Sequence, residues 1–224
     1  MLFRSQEILP DLGDLAAAVV GEPTGLEVVG AQRGMLLLRC TARGQAAHVA
    51  HAALGENAVH KAARDIQRLA DMVFEPHPLL GETRAQVTTI QGGRARNQVP
   101  DTCEFFVDFR TTPNLDPAQL TERVAGALES EVALFSNRYL AVATAAGEAV
   151  VRAALAASGR KAPCGSNTAS DWAFLGDLPA VKAGPGDTFR SHAPNEYLTL
   201  PELEAGTAFY ASLVPAFFKL QVPT

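Results

Sequence analysis

Apolar positions along the chain fall in continuous runs, in alternation and at helical spacing, and each rhythm predicts an element. Ala16 to Val20 is a continuous run, read as a strand buried on both faces of a parallel sheet. After the turn GEPTG, Glu27 to Gly30 reads as a short extended piece. Arg33 to Gly44 (RGMLLLRCTARG) is apolar through Leu38 and alternates afterwards, which predicts a strong strand. A polar loop, GQAAHVAHAALGE, leads to Asn57, a good helix N-cap. Val59, Ala62, Ala63, Ile66, Leu69 and Ala70 then recur at helical spacing, with Lys61, Arg64, Asp65 and Arg68 opposite. Thr83 to Gly93 reads as the next strand, with Val87 and Ile90 among β-branched threonines. In VPDTCEFFVDFRTT, Cys103, Phe105, Val107 and Phe109 share one face of a further strand. Asp116 caps a second helix that has Pro117 at its first position and Leu120, Val124 and Leu128 as its stripe. RYLAVATA closes the segment as a last strand.

The order from Arg33 to Ala145 is therefore β-α-β-β-α-β, which is the ferredoxin-like split βαβ arrangement, an antiparallel sheet with helices on one face. Beyond Ala145 the chain changes character. EAVVRAALAASGR is a helix stopped by Gly159, LPAVKAGPGD a short strand running into a glycine-proline loop, and the C-terminal stretch a helix with Pro201 at its start. With Ala16 to Val20 these pieces form an α/β fragment, because so few strands and helices cannot cover both faces of a parallel sheet. The expected organisation is an α/β fragment over residues 1–32 and 146–224, with a ferredoxin-like domain over residues 33–145 inserted in it.

Composition narrows the class. A hydrophobic fraction of 47% and a charged fraction of 19% describe a globular chain, not a disordered one. The formal net charge of -5, with no basic run, argues against a nucleic-acid partner. Cys40, Cys103 and Cys164 are odd in number and lack any CxxC pairing, so they read as free thiols of a reducing compartment. No apolar stretch is long enough to span a bilayer, and the N-terminus carries Asp and Pro too early for a secretory signal, so the expected location is cytoplasmic.

Four spots carry polar residues that the patterns do not require. They are Glu22 in GEPTG, His48 and His51 in GQAAHVAH, Asn97 with Arg94, Arg96 and Arg110, and Asp171 with His192 in the C-terminal loops. Each has a plain reading beside the functional one. Glu22 suits a turn, the two histidines lack the HExxH form of a helical zinc pair, and Asn97 before Val-Pro suits a turn former. His192 opens SHAPNEY after a glycine loop at a strand end, where α/β enzymes place ligands.

Taken together and in order, VVGEPTG, TARG-x-AAH, GENA, GG-x-x-x-N-x-VPD-x-C-x-F-x-x-D-x-R, TASD and GPG…SHAPNEY resemble the metal-dependent aminoacylase and deacetylase family of co-catalytic zinc peptidases. The acetylornithine deacetylase type is the nearest in flavour, and the likeness runs from about Val19 to the C-terminus. The resemblance implies a catalytic α/β domain that binds two zinc ions (cobalt being an alternative) interrupted by a ferredoxin-like dimerisation domain. It implies that Glu22 ligates one zinc and His192 the other. It implies that His48 reaches into the partner's active site to polarise the scissile carbonyl, and that Asn97 and Arg110 contact substrate. Ser170, Asp171 and Gly186 match loops lining the pocket. The implied substrate is an N-acyl amino acid such as N-acetylornithine, and the implied assembly a homodimer. A carboxylate and an imidazole suit zinc with an open position for water, and Arg110 suits an α-carboxylate.

The chain departs from the family upstream. The HxD motif, the bridging aspartate and the Glu-Glu pair that supply the other ligands and the general base have no counterpart here. One ligand for each zinc cannot hold a metal pair, so this chain alone is expected to be inactive. A truncated paralogue acting as a dimerisation or small-ligand-binding module is the alternative. Within the enzyme class the alternatives are a dipeptidase and a succinyl-diaminopimelate desuccinylase.

Overall fold

The computed structural model describes residues 7–221; Met1–Gln6, part of the stretch read against a secretory signal, lie outside them. In chain order the elements are β1 (Ala18–Val20), β2 (Val29–Gln32), β3 (Gly34–Arg43), β4 (Ala47–His48), α1 (Ala58–Ala70), β5 (Arg84–Gly92), β6 (Gln98–Val99) and β7 (Thr102–Thr111). They continue with α2 (Pro117–Ala127), β8 (Glu131–Tyr139), β9 (Val142–Ala143), α3 (Ala149–Ser158), β10 (Cys164–Ser166), β11 (Ala180–Lys182) and α4 (Leu200–Gln221). The chain divides into two compact units. One holds Gly34–His77 and Gly81–Leu140, and the other the chain up to Arg33, Pro78–Leu80 and the chain from Ala141.

The first of these is ferredoxin-like. Its sheet has the order β5-β7-β3-β8, with every neighbouring pair antiparallel. Strands β3 and β7 alternate buried with less buried residues, so Leu36, Leu38 and Cys40 meet Phe105, Val107 and Phe109 on one face. Ala58, Ala62 and Leu69 of α1 and Leu120 and Val124 of α2 close that core. Both helices begin as the sequence dictates. Asn57 accepts from the Val59 and His60 amides, and Asp116 from those of Ala118 and Gln119. Asp65, fully buried, joins α1 to the start of β8. It accepts from the Glu129 and Ser130 amides, the Ser130 hydroxyl and Arg68.

The fourth strand corrects the sequence reading. It is Glu131–Tyr139, and only the two-residue β9 falls within Val142–Ala145, where RYLAVATA placed the strand's body. The reason is its position at the edge, with its outer side open. Leu134 and Phe135 are exposed, so EVALF does not alternate as a half-buried strand would. Phe135 instead meets Phe106 edge to face on the sheet's open side, 5.1 Å between centroids.

The second unit is built on a mixed sheet of order β1-β11-β2-β10, with β9 beside β2. Strands β1 and β11 run parallel, as do β10 and β2, while β11 and β2 are antiparallel. Val28, Val181 and Ala183 pack on one face against Val150, Val151 and Ala154 of α3 and Phe209 and Leu213 of α4. Trp172, 1% exposed, covers Val29 and Ala180 on the other. Strand β1 is a half-buried edge strand, not one buried on both faces as its run of apolar residues implied. The strand with that character is β2, whose four residues are all buried, two places beyond the expected Glu27 to Gly30.

Candidate functional site

The turn after β1 is shaped by a loop far away in sequence. The Thr24 and Leu26 amides both donate to the Gly184 carbonyl, at 3.1 and 3.0 Å, and the Gly25 amide to that of Gly186 at 2.7 Å. Gly184 lies so close that a Cβ there would come within 2.6 Å of the Glu22 carbonyl oxygen. Gly186, at φ +92°, has a backbone that L side chains rarely adopt. The two glycines of GPG thus clamp GEPTG, and Glu22 stands two residues past the end of β1 with a direction fixed by backbone.

The Glu22 side chain is half-buried and lines a cavity of about 190 Å3 with Lys182, Ser166, Thr168, Cys164 and Thr188. Its carboxylate makes no hydrogen bond or ion pair among the described residues. Lys182 is only 2% exposed. Its ammonium donates to Ser166 Oγ at 2.7 Å and to the Thr168 carbonyl and Oγ1, each at 3.0 Å. Burial pulls its pKa down to about 8, against a smaller opposing pull from Glu22 and Cys164.

His192 is exposed and adopts φ +60°, uncommon for a residue with a Cβ. Its amide donates to Glu196 Oε2 at 3.2 Å. The loop before it is pinned by an Arg190–Glu202 ion pair, with the Arg190 guanidinium 4.6 Å from the centre of the Tyr197 ring. That pairing, first through the Arg190 hydrogen bond, holds the Glu202 carboxyl down at about 2. His192 does not line the cavity that holds Glu22, although Thr188 of the same loop does. Gly186 lines a neighbouring cavity of about 360 Å3 with Pro23 and Tyr197. Ser170 is buried with its hydroxyl donating to Gln32 Oε1 at 2.7 Å, and Asp171 opens the 3-10 turn Asp171–Phe174.

In the ferredoxin-like unit the structure joins two of the expected residues and separates a third. His48 pairs with Gln98 across β4 and β6, and the Val49 amide donates to the Asn97 carbonyl at 3.0 Å. Both side chains lie at the exposed end where β3 leaves the sheet. Arg110 sits at the far end of β7, eight residues beyond Thr102, which is roughly 26 Å along an extended strand. Its guanidinium lies 2.9 Å from Asp108 Oδ1 as an ion pair and donates to Oδ2 at 3.1 Å. Geometry makes the Oδ2 contact the hydrogen bond, since Oδ1 has no partner on a hydrogen-bond axis.

The sequence reading passed over Lys182, Ser166 and Thr168. A lysine inside the apolar run LPAVKAG is the one signal that pointed to them.

Comparison with known proteins gives the class. Residues 30–134 match the peptidase dimerisation domain. Over 227 residues the chain is 31% identical to the acetylornithine deacetylase of Myxococcus xanthus, spanning 92% of this chain and 59% of that protein. It is 28% identical to a putative succinyl-diaminopimelate desuccinylase of Mycobacterium tuberculosis, with 91% and 59% covered. Among solved structures, a tripeptidase of Staphylococcus aureus superposes with a TM-score of 0.73 at 19% identity, over 96% of this chain and 60% of the other. A Bacillus subtilis protein described as a dinuclear metal binding peptidase of the M20 family gives 0.67 at 17%, over 99% and 62%. At these identities the structures speak for the fold alone. The chain carries this peptidase dimerisation domain and, over most of its length, is similar to the deacylases just described. It spans about three-fifths of the length of the curated relatives it matches.

The donor set bears on the metal pair that the resemblance implies. Glu22 fits, being an unpartnered carboxylate on a rigid turn. Among the described residues, however, no three His, Cys, Asp or Glu side chains come together as a metal site. A zinc needs at least three protein ligands, so the residues present do not make a complete centre.

Proposed function

We propose that this chain carries part of an amidohydrolase that removes an acyl group from an N-acylated amino acid, with Glu22 and His192 as zinc ligands completed by residues outside those described. The observation that carries this reading is the Glu22 carboxylate, half-buried, without a partner, and aimed by a backbone clamp into a cavity. Metal, when bound at such a site, polarises a carbonyl and acidifies a water. The chain's own part is to orient. Ser170, Asp171 and Gly186 shape the pocket, and Arg110 recognises an α-carboxylate, exchanging Asp108 for it.

The distance along β7 divides the labour of the ferredoxin-like unit. One small substrate cannot touch residues at both ends of that strand. His48 and Asn97 therefore act apart from Arg110, and our reading has them serve the site of a second copy in a homodimer. The names of the relatives favour N-acetylornithine or N-succinyl-diaminopimelate as substrates to try first.

Zinc competition titration of the completed enzyme, in which the remaining ligands are supplied, against a chromophoric chelator tests the ligand assignment. Glu22→Gln should weaken zinc at least about tenfold and leave the melting temperature of the metal-free chain unchanged. Equal affinities would remove Glu22 from the role.

A second reading, a dimerisation module without hydrolysis, is favoured by the absence of a three-ligand cluster among the described residues. It expects no release of acetate from N-acetylornithine by the pure chain, and turnover would exclude it.

A further inference from the structure

Lys182 is an unusual cation. It is 2% exposed, and among the described residues no carboxylate lies within ion-pair distance of it. A buried ammonium without a counter-ion is costly, and a neutral amine relieves that cost. The three partners of Nζ suit the neutral form. The Thr168 carbonyl and Oγ1 take its two N–H groups, and the Ser166 hydroxyl, at 2.7 Å, can turn its proton onto the lone pair. Thr168 also holds the serine. Its amide donates to Ser166 Oγ at 3.3 Å, and the two hydroxyl oxygens are 3.0 Å apart. A nucleophile touching a base, with the base oriented by a third group, is the arrangement that activates a hydroxyl.

We infer that Ser166 and Lys182 form a nucleophile–base pair that accepts an acyl group from esters entering the 190 Å3 cavity, without a metal. Ser166 Oγ attacks the ester carbonyl carbon while its proton passes to the Lys182 lone pair. The C–O bond to the leaving group breaks, and the departing oxygen takes that proton from Lys182. An acyl ester on Ser166 and a neutral amine remain. Water then attacks this ester, its proton passing by way of Lys182 to Ser166 Oγ, and a carboxylic acid departs. The lowered Lys182 pKa supplies neutral amine near pH 8. The other titratable groups facing the cavity are Glu22, Cys164 and Glu27, the last paired with Arg160 at 3.0 Å.

The test uses the chain as it is, with p-nitrophenyl acetate as the probe and peptide mass spectrometry to locate the acetyl group. Acetyl on Ser166, arriving faster as pH rises through 8 and undiminished by a chelator, is the expected result. Ser166→Ala and Lys182→Met should each slow labelling of that peptide at least about a hundredfold. Mapping on the unaltered chain keeps the test valid if a variant fails to fold. Acetyl found only on Lys182, Cys164 or surface lysines would overturn the inference. Loss of labelling with the chelator would also overturn it, assigning the reaction to metal-bound water. Failure of Glu22 as a zinc ligand would leave it standing.

Discussion

The two units solve burial differently. The ferredoxin-like unit has one continuous core, in which the inner faces of β3 and β7 carry Leu36, Leu38, Phe105, Val107 and Phe109 against two helices. The other unit splits its apolar contacts between two smaller clusters on opposite faces of a mixed sheet and buries Gln32, Arg33, Ser170 and Lys182 near them. Its helix α4 also leaves Leu203, Val214 and Phe218 exposed. The difference teaches where each unit's specificity lies. One is fixed by side-chain packing; the other is fixed by backbone clamps and polar contacts around Glu22 and Lys182.

The sharpest way to break that comparison is to cut into each core and read thermal or denaturant unfolding. Phe109→Ala should cost about 4 kcal/mol, and Leu213→Ala, in the thinner core, about 2 kcal/mol. Equal losses would mean the second unit is packed as densely as the first. Between those two in size, Asp65→Ala removes the acceptor of two backbone amides and a hydroxyl, and should cost about 3 kcal/mol. A loss below about 1 kcal/mol would show that water replaces the carboxylate.

A further effect is in pH. Burial raises the Cys40 thiol from 9.0 to about 12, with Asp65 adding to the shift. Its folded value lies above the unfolded one, so its contribution is whole below pH 9 and is lost as pH rises toward 12. Lys182 has the opposite sign. Its folded value of about 8 lies below 10.5, so its contribution is present above 10.5 and lost as pH falls through 8. Cys40→Ala should therefore flatten the alkaline decline in melting temperature, and Lys182→Met should flatten the change between pH 8 and 10.5. An unchanged profile in either variant would reassign that limb to another group.

Much of the ferredoxin-like unit was legible because its inner strands obey period two and its helices announce their caps at Asn57 and Asp116. Strand β8 was misplaced because an edge strand open on its outer side does not alternate. At the site, Glu22 and His192 stood out as ligand candidates only through the ordered motifs of the family resemblance. The sequence could not show that Ser170 spends its hydroxyl on Gln32, or that Arg110 and His48 stand at opposite ends of one sheet. Lys182 went unnoticed because its partners, Ser166 and Thr168, come from the end of β10 and the loop after it, and periodicity carries no information about contacts across a fold.

The clamp of Gly184 on the Glu22 turn has a consequence for how the chain is made. Synthesis runs from the N-terminus, and domains fold as units when their residues are available. All of the ferredoxin-like unit, ending at Leu140, leaves the ribosome before residue 184 exists. A nascent chain stalled between these points would carry a finished sheet and a GEPTG segment with nothing to brace it. Glu22 is translated ahead of that whole sheet, and finds its place only after the sheet is done.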